Sequence, residues 1–258
     1  MKQLSSLKRL SFFLLAFLLF SCASREKMAY YQNIDSVIGA NASTNFELTL
    51  QPDDMVKIVV MGDTPEIVAP FNKTMNIGGN KDINATGQET DTYLIDGNGF
   101  ILFPIVGRIK LGGLTKTQAE TELNSVLREY IKKPTVNLTL ANFKVTVQGE
   151  VGRPGIVNVA SERLTLPEAL SISGDLTIFG RRENIMIVRE SNGKKTVERV
   201  DITKADFINS PYYYLAQNDL IYVEPNKVKM NSSKSDPNYG LIFSSISLLI
   251  TIVVLVTN

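Results

Sequence analysis

Two apolar stretches, one near each end of the chain, divide this sequence into parts that must be interpreted separately. Residues 10–20 are apolar except for Ser11, and residues 241–256 contain no charged residue. The part between them mixes apolar and polar residues in short alternating patterns, which is typical of globular sequence. The chain has 258 residues, and a domain usually takes roughly 100 to 200. The middle therefore has room for one large domain or two small ones.

The first apolar stretch has the layout of an export signal. It is preceded by basic residues, Lys2, Lys8 and Arg9. It is about 11 residues long, whereas a membrane-spanning helix needs roughly 20. It ends in Leu19-Phe20-Ser21-Cys22, which matches the bacterial lipobox. We predict a lipoprotein signal peptide over residues 1–21 and a lipid on Cys22. The alternative is a plain signal peptide whose cysteine lies near the cleavage site by coincidence. Residues 22–45 are predicted to be a tether.

The composition of the whole chain excludes several classes of function. The sequence has no histidine, which rules out Ser-His-Asp and Cys-His nucleophiles and histidine metal sites. It has one cysteine, which rules out a disulfide within the chain. The net charge is +1, and no basic run lies in the middle, so nucleic acid is not an expected partner. We predict no catalytic residues, no metal site and no cofactor.

The first half of the middle is predicted to form a small α+β module over residues 46–141. An Asp-Gly-Asn-Gly sequence separates the strand-like residues 93–95 and 100–103, which predicts a hairpin. A helix is predicted to begin at Thr115, because Thr115 and Gln118 have capping-box spacing and apolar residues then recur every three or four positions.

The second half is predicted to form another α+β module over residues 142–226. Thr165 and Glu168 again have capping-box spacing before a short apolar helix. The strand-like residues 185–189 and 196–200 flank a Ser-Asn-Gly-Lys turn, which predicts a hairpin. A small sheet that holds one short helix is the β-grasp pattern.

The C-terminal stretch is predicted to be a transmembrane helix over residues 240–258, after a linker at residues 227–239. Its length of roughly 27 Å suits the thin bacterial outer membrane. Ser244, Ser247 and Thr251 fall on one stripe of this helix. The stripe has two interpretations: it lines a water-filled pore made by several copies, or its small residues allow close helix packing in lipid.

Three stretches of the middle carry recognisable motifs. They are Leu50-Gln-Pro-Asp-Asp54, Ile95-Asp-Gly-Asn-Gly-Phe-Ile-Leu-Phe-Pro-Ile-Val-Gly107 and Val147-Gln-Gly-Glu-Val-Gly-Arg-Pro-Gly155. In their content and order they resemble the outer-membrane polysaccharide export lipoproteins, which form capsule and exopolysaccharide translocons. Asp53 departs from the family pattern, which usually has glycine there. The resemblance implies an α+β fold with a polysaccharide export domain, a soluble-ligand-binding β-grasp (SLBB) domain and a C-terminal transmembrane helix.

The resemblance also implies a function. The protein would be a subunit of a homo-oligomeric ring, a porin-like channel that exports capsular or extracellular polysaccharide from the periplasm to the cell surface. It would be anchored in the outer membrane by the lipid on Cys22, with most of the chain in the periplasm and with Ser244, Ser247 and Thr251 lining the pore. It would not be an enzyme. Its partners would be the polysaccharide, outer-membrane lipid and an inner-membrane co-polymerase, often a tyrosine autokinase.

Two other functions remain open from the sequence. The first is an inner-membrane polysaccharide co-polymerase, or chain-length regulator. It would need an N-terminal segment long enough to span and basic residues after the C-terminal helix, whereas only Thr257 and Asn258 follow that stretch. The second is a periplasmic glycan-binding lipoprotein, which would have no need for the C-terminal helix.

Overall fold

The computed structural model describes residues 25–37, 47–73, 91–191, 193–233 and 239–257. The predicted signal peptide and Cys22 lie outside these residues. The strands are β1 (Met55–Met61), β2 (Thr92–Leu94), β3 (Phe100–Phe103), β4 (Gly107–Lys110), β5 (Thr135–Leu140), β6 (Lys144–Gly149), β7 (Gly155–Asn158), β8 (Leu164–Thr165), β9 (Gly180–Ser191), β10 (Lys194–Val200), β11 (Tyr214–Leu215) and β12 (Leu220–Pro225). The α-helices are α1 (Ile34–Val37), α2 (Pro65–Val68), α3 (Lys116–Leu127), α4 (Leu166–Ile172), α5 (Lys227–Ser232) and α6 (Tyr239–Thr257).

The first module is built on a three-stranded antiparallel sheet in the order β2–β1–β5. Exposed and buried residues alternate along the whole of β1, so that Val56, Ile58 and Val60 enter the core. Helix α3 packs against β5 and buries one face, Ala119, Leu123 and Leu127. One face of the sheet is therefore covered by the helix that the apolar periodicity predicted.

Both predicted helix starts are confirmed. The Thr115 hydroxyl accepts a hydrogen bond from Gln118 N at 3.3 Å, and Gln118 Oε1 accepts one from Thr115 N at 3.0 Å. Thr165 and Glu168 make the same reciprocal pair at the start of α4. These bonds satisfy backbone N–H groups that have no partner within the first turn of a helix.

The first predicted hairpin is wrong in its pairing. Strand β2 pairs with β1, and β3 pairs with β4. A turn does form between β2 and β3, where the Asp96 carboxylate accepts hydrogen bonds from the backbone N–H groups of Asn98 and Phe100, both at 2.9 Å. Beyond this turn the strands separate, because β2 lies in register with β1, Met55 opposite Leu94.

The second module is a five-stranded sheet in the order β10–β9–β12–β6–β7. Strands β12 and β6 are parallel, and the other neighbours are antiparallel. Helix α4 buries Leu166, Ala169 and Leu170 in the core of this module. The predicted hairpin of β9 and β10 and the predicted last strand, β12, are confirmed. The chain is therefore an α+β protein with two modules, as predicted.

Residues 25–37, which we name the N-terminal strap, pack on the second module. Tyr31 N donates to Ile202 O at 3.3 Å, and the Tyr31 ring stacks on Phe207 with centroids 5.7 Å apart. The Asn33 side-chain amide donates a hydrogen bond to Asp206 Oδ2 at 2.7 Å. Its side-chain oxygen accepts one from the backbone N–H of Ala205, the residue before Asp206. The strap lies within the segment predicted to be a tether. The chain thus contacts its second module before it enters the first.

The predicted transmembrane helix is contradicted. Helix α6 forms, with 19 residues, but among the described residues no helix combines the length and the apolar character needed to cross a membrane. Among its apolar residues the helix contains Gly240 and five serine or threonine residues, Ser244, Ser245, Ser247, Thr251 and Thr257.

Candidate functional site

The two modules meet at a seam where the chain passes from β5 to β6. Asn142 lies at its centre. Its side-chain oxygen accepts a hydrogen bond from Met55 N at 2.9 Å, and its side-chain amide donates to Asp53 O at 3.1 Å. Ala141 N donates to Met55 O at 2.7 Å. The first module thereby fixes the position of the connecting residues.

Gln217 holds the same connection from the second module. Its Nε2 donates to Asn142 O at 2.9 Å, and its Oε1 accepts from Lys144 N at 2.8 Å. Its side chain is buried, so these bonds are shielded from water. The module seam, which we define as Asn142, Gln217 and their partners, is closed by side-chain amides beside the half-buried Leu140, which packs against both cores.

Asp54 is completely buried at the first module's side of the seam. Its Oδ2 accepts a hydrogen bond from Gln51 N at 2.8 Å, while Oδ1 has no partner among the described residues. Burial raises the pKa of Asp54 from 3.8 to about 6, and the charge of Asp53 adds to the rise. The Gln51 N–H and the Gln217 side chain act in the opposite direction.

Two clefts have walls from both modules. The first has a volume of about 600 Å³ and is lined by Asp53, Lys110 and Glu190 together with glycines of several turns. The second, of about 590 Å³, is lined by Glu47, Lys116, Glu120, Glu162 and Arg163. These volumes lie in the usual range of ligand pockets, roughly 300 to 1,000 Å³.

Opposite charges are paired across the second cleft. Lys116 in the first module forms an ion pair with Glu162 in the second and lies 4.0 Å from Glu120. Glu47 accepts a hydrogen bond from Thr117 N at 3.0 Å, and its bonds to Thr117 lower the pKa of its carboxyl. The cleft therefore offers many hydrogen-bonding groups and little net charge, which suits a hydroxylated ligand held weakly.

No arrangement of metal ligands accompanies these clefts in the part of the chain that the structure describes. Within that part, no group of three Cys, Asp or Glu residues lies close enough to hold an ion. The chain also contains no histidine.

The three consecutive tyrosines of the second module are packed. Tyr213 lies 5.8 Å from Phe207 and 5.0 Å from Tyr214 between ring centroids. The Arg189 guanidinium lies 4.7 Å from the Tyr212 ring centroid. These contacts use faces and edges of the rings that a sugar would need for stacking.

The residues predicted to line a pore lie together on α6. The Ser244 hydroxyl donates to Gly240 O at 2.6 Å, and the Thr251 hydroxyl donates to Ser247 O at 2.9 Å. These bonds within the helix account for two of the three hydroxyl groups. A pore-lining role for Ser244, Ser247 and Thr251 stays a prediction, and the predicted lipid on Cys22 lies outside the described residues.

Comparison with known families identifies both modules. Residues 42–141 match the family described as polysaccharide biosynthesis/export protein. Residues 144–199 match the SLBB domain. This chain carries a polysaccharide export domain followed by an SLBB domain. The resemblance drawn from the three motifs is thereby confirmed, and the module seam is the junction between an export domain and an SLBB domain.

Two relatives are 30% and 29% identical to this chain over about two thirds of its length. The EPS I polysaccharide export outer membrane protein EpsA of Ralstonia solanacearum is 30% identical over 180 residues, which cover 67% of this chain and 47% of the relative. The protein of the same name from Ralstonia nicotianae is 29% identical over 177 residues, which cover 66% of this chain and 45% of the relative. The chain spans about half the length of these curated relatives.

Sequence reasoning missed the residues that form the module seam. The position of Asn142 was a weak indication of its role, because it lies between two alternating strands where no glycine or proline marks a turn. Gln217 had none, because it lies in an ordinary polar turn and contacts Asn142 across 75 positions. Asp54 was named only as the last residue of the Leu50–Asp54 motif, and nothing in that motif indicated that its side chain is buried.

Proposed function

We propose that this protein exports an extracellular or capsular polysaccharide at the outer membrane, with most of the chain in the periplasm. One observation carries the proposal. An export domain is followed by an SLBB domain in a chain that is 30% identical over 180 residues to an EPS I polysaccharide export outer membrane protein. This is an export family, and the proposal includes no catalytic step.

The two clefts at the seam support a role in letting a polymer pass through rather than in holding it tightly. A polymer that moves through a site must be held by contacts weak enough to be broken at each step. Paired charges such as Lys116 and Glu162 leave no strong field in the cleft, whereas exposed hydroxyl and amide groups can exchange hydrogen bonds with water and sugar at little cost.

The finer features of the function are further parts of the same proposal. Copies of the chain assemble into a ring, and an inner-membrane co-polymerase, often a tyrosine autokinase, delivers the polymer to it. A lipid on Cys22 anchors each copy. The short lipobox-like sequence before the single cysteine supports the anchor.

Loss of the protein is expected to stop polymer export without stopping polymer synthesis. In a deletion strain, cell-surface polysaccharide should fall to background while polymer accumulates in the periplasm. The wild-type gene and a variant with Lys195→Ala, an exposed position on β10, should both restore export. Surface polymer of altered length but normal amount would point to a chain-length regulator, and normal surface polymer would contradict export.

Replacing Cys22 by alanine is expected to abolish incorporation of a fatty-acid analogue and to leave unprocessed precursor at the inner membrane. The reason is that the thiol of the only cysteine is the acylated group. Gel mobility of the labelled protein measures both effects, with Ser21→Ala as the control because it keeps a small residue before the cysteine. Labelling that persists in Cys22→Ala would contradict the lipid anchor.

A further inference from the structure

The most unusual group at the module seam is the Asp54 carboxylate. It is 0% exposed, and it forms no ion pair among the described residues. Oδ1 has no hydrogen-bond donor in that part of the chain. An ionised carboxylate in such a place is costly, because burial removes its hydration and the hydrogen bond from Gln51 N to Oδ2 replaces that hydration only in part. A protonated carboxyl is much less costly, since it has no net charge and its hydroxyl can donate a hydrogen bond.

The position of Asp54 connects this cost to the geometry of the whole protein. The adjacent peptide groups, Asp53 O and Met55 N, are the two atoms of the first module that bind the Asn142 side chain. Asn142 O is in turn bound by Gln217 of the second module. Asp54 is therefore buried between the two peptide groups whose bonds connect the modules at the seam.

The charged groups on the surrounding elements leave Asp54 without compensation. Asp53, on the same turn, repels it. On the element after β2, Asp96 is paired with Arg108 at 2.9 Å. Next to Gln217, Asp219 is paired with Arg189 at 2.7 Å. On β6, the Lys144 side chain is exposed.

We propose that Asp54 is a proton-operated latch, which holds the two modules together at the seam when it is protonated and allows the seam to open when it is ionised. This inference does not depend on the polysaccharide function. It means that the proton concentration controls how readily the export and SLBB domains separate at the seam.

The direction and size of the pH effect follow from the thermodynamic linkage between proton binding to Asp54 and opening of the seam. Burial raises the pKa of Asp54 from 3.8 to about 6 in the closed seam, and opening to water returns it to the lower value. The closed seam therefore binds protons more tightly, so its stability is fully present below the lower pKa and is lost as pH rises through the higher one. Between pH 5 and pH 7.5 the equilibrium constant for opening should increase about tenfold.

Amide hydrogen exchange in the full-length protein tests the latch. The reporters are Met55 N–H and Lys144 N–H, which donate to the seam side chains, and Leu123 N–H in α3 reports the module core. After correction for intrinsic exchange rates, protection of the seam amides should fall about tenfold from pH 5 to pH 7.5. It should stay below that of Leu123 throughout, as expected for an opening smaller than global unfolding.

Two variants identify the group responsible. Asp54→Asn is neutral and nearly isosteric, so its seam protection should not change with pH and should lie about tenfold above that of the wild type at pH 5, because the wild-type carboxyl already ionises on opening at that pH. Asp53→Asn removes the neighbouring charge at the surface of the turn and should keep the pH dependence. If Asp54→Asn does not fold, the pH dependence of seam protection in the wild-type protein tests the latch by itself. Constant wild-type protection, seam and core amides with equal protection, or pH dependence that persists in Asp54→Asn would each overturn the latch.

Discussion

Replacing Arg189 by methionine is expected to lower the free energy of unfolding by about 3 to 5 kcal/mol. Asp219 is completely buried in the second module, and Arg189 binds it through Nε at 3.0 Å and Nη2 at 2.7 Å. Burial raises the pKa of Asp219, and the bonds from Arg189 oppose that rise. Without the guanidinium, a carboxylate remains in the core with one bond, from Ala216 N.

Arg189 also connects three parts of the second module. It donates to Tyr214 O at 2.9 Å and to Pro211 O at 3.3 Å, and it lies over the Tyr212 ring. The substitution therefore removes the support of the loop before β11 as well as the buried charge pair. Because this loop leads to Gln217, we also expect loss of polysaccharide export in cells.

Arg199→Met is the matched control for this experiment. Arg199 also forms a salt bridge, with Glu224 at 3.0 Å, but it is half exposed on β10. Such pairs usually contribute only about 0 to 1 kcal/mol. Urea unfolding of both variants measures the difference. Equal destabilisation would contradict a special role for the buried pair, and the double variant Arg189→Met, Asp219→Leu should recover most of the loss because it leaves no unpaired charge.

The features that the sequence predicted correctly are those determined over short distances along the chain. The capping boxes at Thr115 and Thr165 each depend on a residue three positions away. The β9–β10 hairpin depends on a turn between Ser191 and Lys194, which are paired directly. In these cases the residues that determine the local structure lie within three positions of one another. A short stretch of sequence is therefore enough to predict that structure.

Pairing between distant segments could not be predicted in the same way. The Asp-Gly-Asn-Gly turn was predicted correctly, but β2 pairs with β1, from which residues 62–91 separate it, rather than with β3, its neighbour in sequence. The N-terminal strap depends on Asn33 and Asp206, which are separated by 173 positions. No local pattern distinguishes such a segment from a tether, although the adjacent Tyr30 and Tyr31 are unusual in a solvated linker.

The candidate site was less predictable than the fold, because its residues act through burial. A buried and a solvated aspartate have the same letter in the sequence, and Asp54 follows a proline and another aspartate in what is normally an exposed turn. The prediction of a transmembrane helix over residues 240–258 was wrong, although a helix forms over Tyr239–Thr257.

Replacing Gly149 by alanine is expected to destabilise the second module by about 3 kcal/mol or more, since it combines a strained backbone with a steric clash. Gly149 ends β6 with φ of 93°, a conformation that side chains with a Cβ rarely adopt. A Cβ there would lie 2.1 Å from Val223 O. That carbonyl accepts the hydrogen bond of Glu150 N at 2.9 Å, so it cannot move away without breaking the link between β6 and β12.

Gly193→Ala separates the two causes. Gly193 also has a positive φ, of 73°, but no atom lies within 4 Å of the position of its Cβ. Its substitution should cost about 1 to 2 kcal/mol, from backbone strain alone. The larger loss in Gly149→Ala, measured by urea unfolding, then reports the clash at Val223. Since β12 and β6 form the parallel pair at the centre of the sheet, the same variant should reduce export, whereas Gly193→Ala should not. Equal losses in the two variants would contradict the clash at Val223. They would mean that β6 and β12 can move apart at this end without cost.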